Sequence, residues 1–425
     1  MVPQKLISLL IFSTAYISFF LLPTKRSITA LTFAGLCILL KLIPFHEAIK
    51  SIDFNVLGIF VGMLLIADFF TASKCPAYLA TYIAHKTQNV PFIFLSICIL
   101  TSFISAFVEN VATVLIIAPI CFEITRRLKI NPTIPIISIA ISSNLQGTAT
   151  LIGDPPSMIL AGFTNMNFMD FFLYHGKPGI FFAVQIGAIF TFIYLYLLFK
   201  KYKATSTVEI EKIITWVPTF LLLGLISVLI FTSLLETKEM WFASPGFICC
   251  VFALIGAIWA IFSEEVSLIN TLKKLDWDTT FFLVGVFILV GTLTYQRITE
   301  DIANLVYKSI GDNQLITFIS IISLSIILSG FIDNVPYITA MLPIAKIIAE
   351  KGGYQPTLLY FGLLIGSCLG GNLTPIGASA NIVGCALLKK KGYQVSFIDW
   401  LKISIPFTLF ATIPASIFVW FIWKN

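Results

Sequence analysis

Three acidic side chains stand where acid is costly. Glu109 and Asp333 each interrupt a long apolar stretch, and Asp154 lies in a break rich in Gly, Thr and Pro inside another. An ionised side chain at the centre of a bilayer costs about 2.5–3.5 kcal/mol on insertion scales. Such residues therefore bind a cation, carry a proton, or cap a broken helix. Each tip acid is followed by an amide, Asn110 and Asn334. Carboxylate and amide oxygens together suit a hard cation such as Na⁺, and a carboxylate shielded from water can trade a proton for a metal ion near neutral pH. Glu109, Asn110, Asp333 and Asn334 are accordingly the expected Na⁺ ligands. Further oxygens are available from Thr113, Asn144, Thr148 and Thr150, and from Thr339, Asn372, Thr374, Ser379 and Asn381. The carbonyls of Gly147, Gly153, Gly371 and Gly377 add more if the chain is unwound there. For each Asn or Thr the competing role is back-bonding that heals a broken helix. Asp154, standing before Pro155, is also a good N-cap. Asp68 is expected near a membrane surface, outside any such site.

The elements that must position these groups occur twice. Residues 141–160 contain Gly147, Thr148, Thr150, Gly153, Asp154, Pro155 and Pro156, poor helix residues in an otherwise helical pattern. Residues 365–384 repeat the stretch at an offset of 224, with seven of twenty positions identical, Gly147, Thr150 and Gly153 among them. At the same offset FVENVATVLIIAPI (107–120) matches FIDNVPYITAMLPI (331–344), setting Glu109 against Asp333 and Asn110 against Asn334. Non-helical backbone at bilayer depth is tolerated only inside protein or beside a wet cavity. Paired interrupted segments in two halves point to the binding site of a secondary transporter.

Composition agrees. The 425 residues are 58% hydrophobic and 11% charged, with mean hydropathy +0.96, against about 25% charged in soluble domains. The net charge of +6 belongs to short loops of a membrane protein rather than to a nucleic-acid surface. Most cysteines lie inside apolar runs as small apolar side chains, and no zinc, protease or hydrolase motif is present. Neither a catalytic residue nor a cofactor is expected; Na⁺ or H⁺ is the expected coupling ion.

The expected fold is an all-α polytopic membrane protein of two inverted repeats, about 10 spans plus 2 hairpins. Repeat 1 (1–205) holds scaffold spans within 1–72, a re-entrant hairpin at 90–127, a broken helix at 132–165 and a span at 178–200. Repeat 2 (206–425) holds scaffold spans within 214–294, a hairpin at 314–350, a broken helix at 356–389 and a span at 401–423. Interfacial helices are expected at 74–88 and 298–310, and a charged linker at 201–213. Five crossings per half invert the second half relative to the first. Of 27 basic residues, 17, among them Lys25 and Arg26, fall on one side. The positive-inside rule makes that side cytoplasmic and places both termini outside. The short loops suggest a bacterial inner membrane.

ENVATVLIIAPI (109–120), SSNLQGTATLIGDPP (142–156), DNVPYITAMLPI (333–344) and GSCLGGNLTPIGASANIV (366–383) resemble the ion transporter superfamily. That group embraces arsenite permeases, sodium–proton antiporters, the melanosomal P-protein and sodium-coupled citrate-type carriers. The resemblance spans nearly the whole chain and implies a homodimer working as an elevator. Dicarboxylate carriers place Ser-Asn-Thr at the hairpin tips; this chain has Glu109-Asn110-Val111 and Asp333-Asn334-Val335. Ionised tips repel an anion, and no basic residue is expected near either hinge. Cation–proton antiport is the favoured expectation, with arsenite or oxyanion efflux, sodium–citrate-like symport and an ion channel as alternatives.

Overall fold

The structure, a computed structural model, describes residues 2–22, 25–87, 89–202, 209–235, 241–310 and 313–424. Part of the expected linker, 203–208, lies outside them. The first half contains α1 (Val2–Leu21), α2 (Arg26–Leu39), α3 (Phe45–Lys50), α4 (Phe54–Ala72), α5 (Cys75–Lys86), α6 (Val90–Ser105), α7 (Asn110–Arg127), α8 (Thr133–Gly147), α9 (Pro155–Thr164) and α10 (Ile180–Phe199). A two-residue antiparallel ribbon, β1 (Leu173–Tyr174) with β2 (Lys177–Pro178), pairs Leu173 with Pro178 before α10. The second half contains α11 (Val217–Leu234), α12 (Pro245–Phe262), α13 (Leu268–Lys274), α14 (Trp277–Tyr295), α15 (Ile298–Ile310), α16 (Gln314–Ser329), α17 (Asn334–Gly352), α18 (Thr357–Gly370), α19 (Ser379–Lys390) and α20 (Phe397–Trp423). Six of these, α4, α10, α11, α12, α14 and α20, are long and apolar enough to cross a membrane unaided. The hairpin arms and broken-helix halves are shorter or carry charged ends.

Local chemistry sets the boundaries. Asp53 caps α4 by accepting from the Val56 N–H, and Asp276 caps α14 by accepting from Thr279. Pro155 and Pro156 open α9, where the missing N–H costs nothing. The ribbon and the short helices α3 and α13 went unforeseen, yet α3 and α13 fall at nearly the offset of the other matches.

The duplicated sequence makes duplicated contacts. Thr150 Oγ1 donates to the Ala106 carbonyl and Thr374 Oγ1 to the Gly330 carbonyl, 224 residues on. A Cβ on Gly153 would stand 2.6 Å from the Gly147 oxygen, and one on Gly377 would stand 2.6 Å from the Gly371 oxygen. Only glycine lets each hinge fold back on itself at these points. The halves also interlock: α4 packs along α12, and α2 along α14. Gly62 lies against Cys249 in the first pair, and its counterpart Gly285 lies against Ala30 in the second. Two packages result. One is built on α2, α4, α12 and α14, with α1 and α11 alongside. The other is built on α6–α8, α10 and α16–α20. The site lies where α14 of the first meets α17 of the second.

Candidate functional site

Both hairpin tips end at an acid that caps the following arm. Glu109 Oε2 accepts from the Ala112 N–H at 2.9 Å, and Asp333 Oδ1 accepts from the Val335 N–H at 3.0 Å. A single capping bond leaves the rest of each carboxylate for other work. Asp154 differs. It holds the N-cap position of α9 but makes no capping bond. The residue is 6% exposed, and its Oδ2 is buried without a hydrogen-bond partner. A buried acceptor left unmade costs about 1–3 kcal/mol, so this oxygen is the most unusual polar atom in the site.

All three acids line one cavity of about 30 Å³, together with Asn110, Asn144, Asn334 and Ser379. That volume holds one water-sized particle. Pro155 and Ser379 place the N-terminal ends of α9 and α19 at its wall. Glu109 comes from the first hairpin, Asp154 from the first broken helix and Asp333 from the second hairpin, so both halves contribute. Among the described residues no three His, Cys, Asp or Glu side chains are grouped to hold a metal ion by themselves. A bound cation would draw its other oxygens from the amides and backbone.

The neighbouring polar residues divide by what they touch. Asn144 donates to Asn372 Oδ1 at 2.8 Å and to Asn381 Oδ1 at 2.9 Å, joining the two broken helices. Its amide hydrogens are thereby used, and its own oxygen is what it can offer. Asn381 donates to the carbonyls of Gly371 and Thr374, and Asn372 to that of Ile141. Asn381 thus heals the interrupted backbone of the second hinge, and Asn372 ties that hinge to the middle of α8. Thr113, Thr148 and Thr339 bond back to carbonyls of their own helices, while Thr150 and Thr374 tie each hinge to the adjoining hairpin. None of the five threonines lines the cavity. Gly147 passes so close that a Cβ would stand 2.4 Å from Asn110 Oδ1. Asp68 lies on α4, half-buried and outside the cavity lining.

One expectation is overturned: a basic residue does stand at a hairpin tip. Arg26 Nη1 donates to Asp333 Oδ2 at 2.8 Å, Nε to Asp278 Oδ2 at 3.1 Å, and Nη2 to Thr279 Oγ1 at 2.6 Å. Its guanidinium also lies 5.2 Å from the Phe282 ring centroid. Arg26 follows the first apolar run and reads as a loop charge. It opens α2, however, and α2 packs along α14 with its first turn beside the tip of the second hairpin. Asp278 and Thr279 were missed for the same reason. Their cue was Asp276-Trp277, the counterpart of Asp53-Phe54 at an offset of 223. The site therefore does not lack a basic group that could face an anion.

The family model described as citrate transporter matches residues 9–366 and again 240–425. The chain belongs to the citrate transporter family. Its relatives agree. An uncharacterized transporter of Mycobacterium tuberculosis is 29% identical, with 98% of each chain covered. An uncharacterized transporter of a Synechocystis species is 25% identical, with 93% of each covered. The human P protein is 24% identical over 85% of this chain, which spans about half the P protein's length. Among solved structures, the YdaH transporter of Alcanivorax borkumensis superposes with TM-score 0.62 at 13% identity, covering 91% of this chain and 89% of that one. At that identity the likeness speaks for the fold alone. The family assignment and the helical architecture together make this a multi-pass membrane transporter in the ion transporter superfamily.

Proposed function

We propose that the protein is a secondary active cation–proton antiporter working as an elevator. The observation that carries this reading is the buried, unpartnered Asp154 Oδ2 in a cavity shared with Glu109 and Asp333. Acceptor oxygens outnumber donors there, and the space suits one bare ion. Asp154 and Glu109 would hold the ion with Asn110 and Asn144, and would take protons in its absence. Asp333 and Asn334 would complete the site from the other half. Na⁺ and Li⁺ are the expected substrates. The package carrying both hairpins would slide along α4 and α14, with α5 and α15 as connecting arms. Repeat inversion, a homodimer through the scaffold package, a bacterial inner membrane and outward-facing termini belong to the same proposal.

A second reading has an observation of its own. The family description names citrate, and Arg26 is a guanidinium at the cavity wall. Against it, all the donor nitrogens of Arg26 are engaged, and about 30 Å³ does not admit a tricarboxylate. Oxyanion efflux meets the same obstacles.

Everted vesicles from cells lacking their own sodium–proton antiporters separate these readings. Adding Na⁺ or Li⁺ should dissipate a preformed pH gradient, and the response should disappear in Asp154→Asn. Sodium-dependent citrate uptake with no cation-induced pH response would establish the second reading. Silence in a well-expressed protein towards cations, citrate and arsenite would refute both.

A further inference from the structure

The duplication is broken at one point in the site. Ser27 donates to Asp278 where α2 meets α14, and Gly246 donates its N–H to Asn55 Oδ1 where α12 meets α4. Asp278 and Asn55 are counterparts at an offset of 223, as are Gly285 and Gly62. In this register Ala30 answers to Cys249, so Arg26 answers to Pro245. One tip acid, Asp333, therefore meets a fixed cation supplied by the opposite half of the chain; the other, Glu109, has no such residue at the matching place.

The arrangement around Arg26 is built rather than incidental. The side chain is 18% exposed. Each of its three nitrogens has a separate partner, and the Phe282 ring backs its plane. Two partners, Asp278 and Thr279, lie on α14; the third, Asp333, lies at the tip of the second hairpin. The guanidinium is thus anchored to one package and reaches across the seam to the other. Arg26 and Asp333 both line the cavity, so a cation there would meet the pair together. An arginine keeps its charge at any pH relevant to a cell.

We infer that Arg26 is a tethered cation that competes with the transported ion for Asp333. It satisfies the acid while the site is empty and pins the second hairpin to α14. A cation entering the cavity displaces it, and the seam is released as the site fills. This rests on the cation-transport reading for its second half only; the pin is a property of the empty protein. Pinning lowers apparent affinity by the fraction of protein in the competent state. If one molecule in ten is unpinned, removing the arginine tightens cation binding about tenfold.

The test uses the full chain in nanodiscs. Hydrogen exchange in the cation-free protein reads the pin at the amides of Asn334, Val335, Tyr337 and Ile338. Arg26→Gln should raise exchange there, Asp333→Asn should do the same, and the double variant should add nothing further. Asp278→Asn, which weakens the hold of α14 on the arginine without removing it, serves if Arg26→Gln fails to fold, and should act in the same direction. Unchanged exchange in the folded variants overturns the pin whatever the transport assay reports. Na⁺ titration of the vesicle response reads the competition. Arg26→Gln should lower the half-saturating Na⁺ about tenfold, with Arg26→Lys nearer the parent. An unchanged half-saturation in an active protein overturns the competition. A raised exchange with no cation response in any variant upholds the pin and refutes the transport reading instead.

Discussion

At the scale of single residues, the polar side chains near the cavity separate into those that serve the fold and those free to serve an ion. Asn381 is fully buried, and its amide satisfies the carbonyls of Gly371 and Thr374 in the second hinge. Asn381→Ala strands both, at about 1–3 kcal/mol for each buried group left unsatisfied. The expected outcome is a thermal midpoint in detergent several degrees lower, with transport lost only as folded protein is lost. Asp154 should behave in the opposite way. Its Oδ2 has no hydrogen-bond partner, so Asp154→Asn can place its amide nitrogen there without breaking a bond and keeps the shape. Stability should hold or rise while cation transport disappears. Melting curves and vesicle assays on the same two preparations distinguish the roles. If Asp154→Asn lowers the melting point as far as Asn381→Ala does, Asp154 is structural.

At the scale of elements, the hinges are held open by close backbone approach. Gly153 and Gly377 each face a hinge carbonyl that a Cβ would meet at 2.6 Å. Neither oxygen belongs to a flexible side chain, so the backbone itself must shift. Gly153→Ala and Gly377→Ala should each destabilise by about 1–3 kcal/mol, as overpacking does. Gly35, inside α2 with nothing within 4 Å of its Cβ position, makes the contrast. Gly35→Ala should stabilise by about 0.5–1 kcal/mol through helix propensity alone. Equal effects at the three sites would remove the hinge argument. The hinges were legible in the sequence because Gly, Thr and Pro declare themselves inside an apolar run, and because each occurs twice at one offset. The helices α4, α10 and α14 were legible from length and hydropathy. Arg26 was not. A charge at the edge of an apolar run reads as a loop residue by composition, and only the packing of α2 on α14 brings it against an acid 307 positions away. The roles of Asn372 and Asn381 were also closed to sequence reasoning, because ligating an ion and bonding to backbone carbonyls call for the same amide.

At the scale of the whole molecule, the seam between α14 and α17 has different ends. One end holds the Arg26–Asp333 pair. The other opens into a cavity of about 620 Å³, with Phe287, Val290 and Thr294 of α14 facing Thr339, Leu342 and Pro343 of α17 across it. Two packages that slide past each other need such unfilled space on one side, because close-packed interiors do not yield gradually. If α17 moves along α14 during transport, this cavity is the room into which that movement goes. Thr294 is exposed and lines it. A substitution at an exposed position usually changes stability by no more than about 0.5 kcal/mol, so Thr294→Trp can occupy the space without unsettling the core. The expected outcome is an unchanged melting point and a transport rate at least roughly tenfold lower, an added barrier of about 1.4 kcal/mol. Thr294→Ser should match the parent. Because the bulk lies far along α14 from Asp333, Na⁺ should bind as it does in the parent, and the loss should fall on the rate rather than on half-saturation. A Thr294→Trp protein that transports at the parental rate would mean that the two packages do not travel along this seam, whatever ion the site holds.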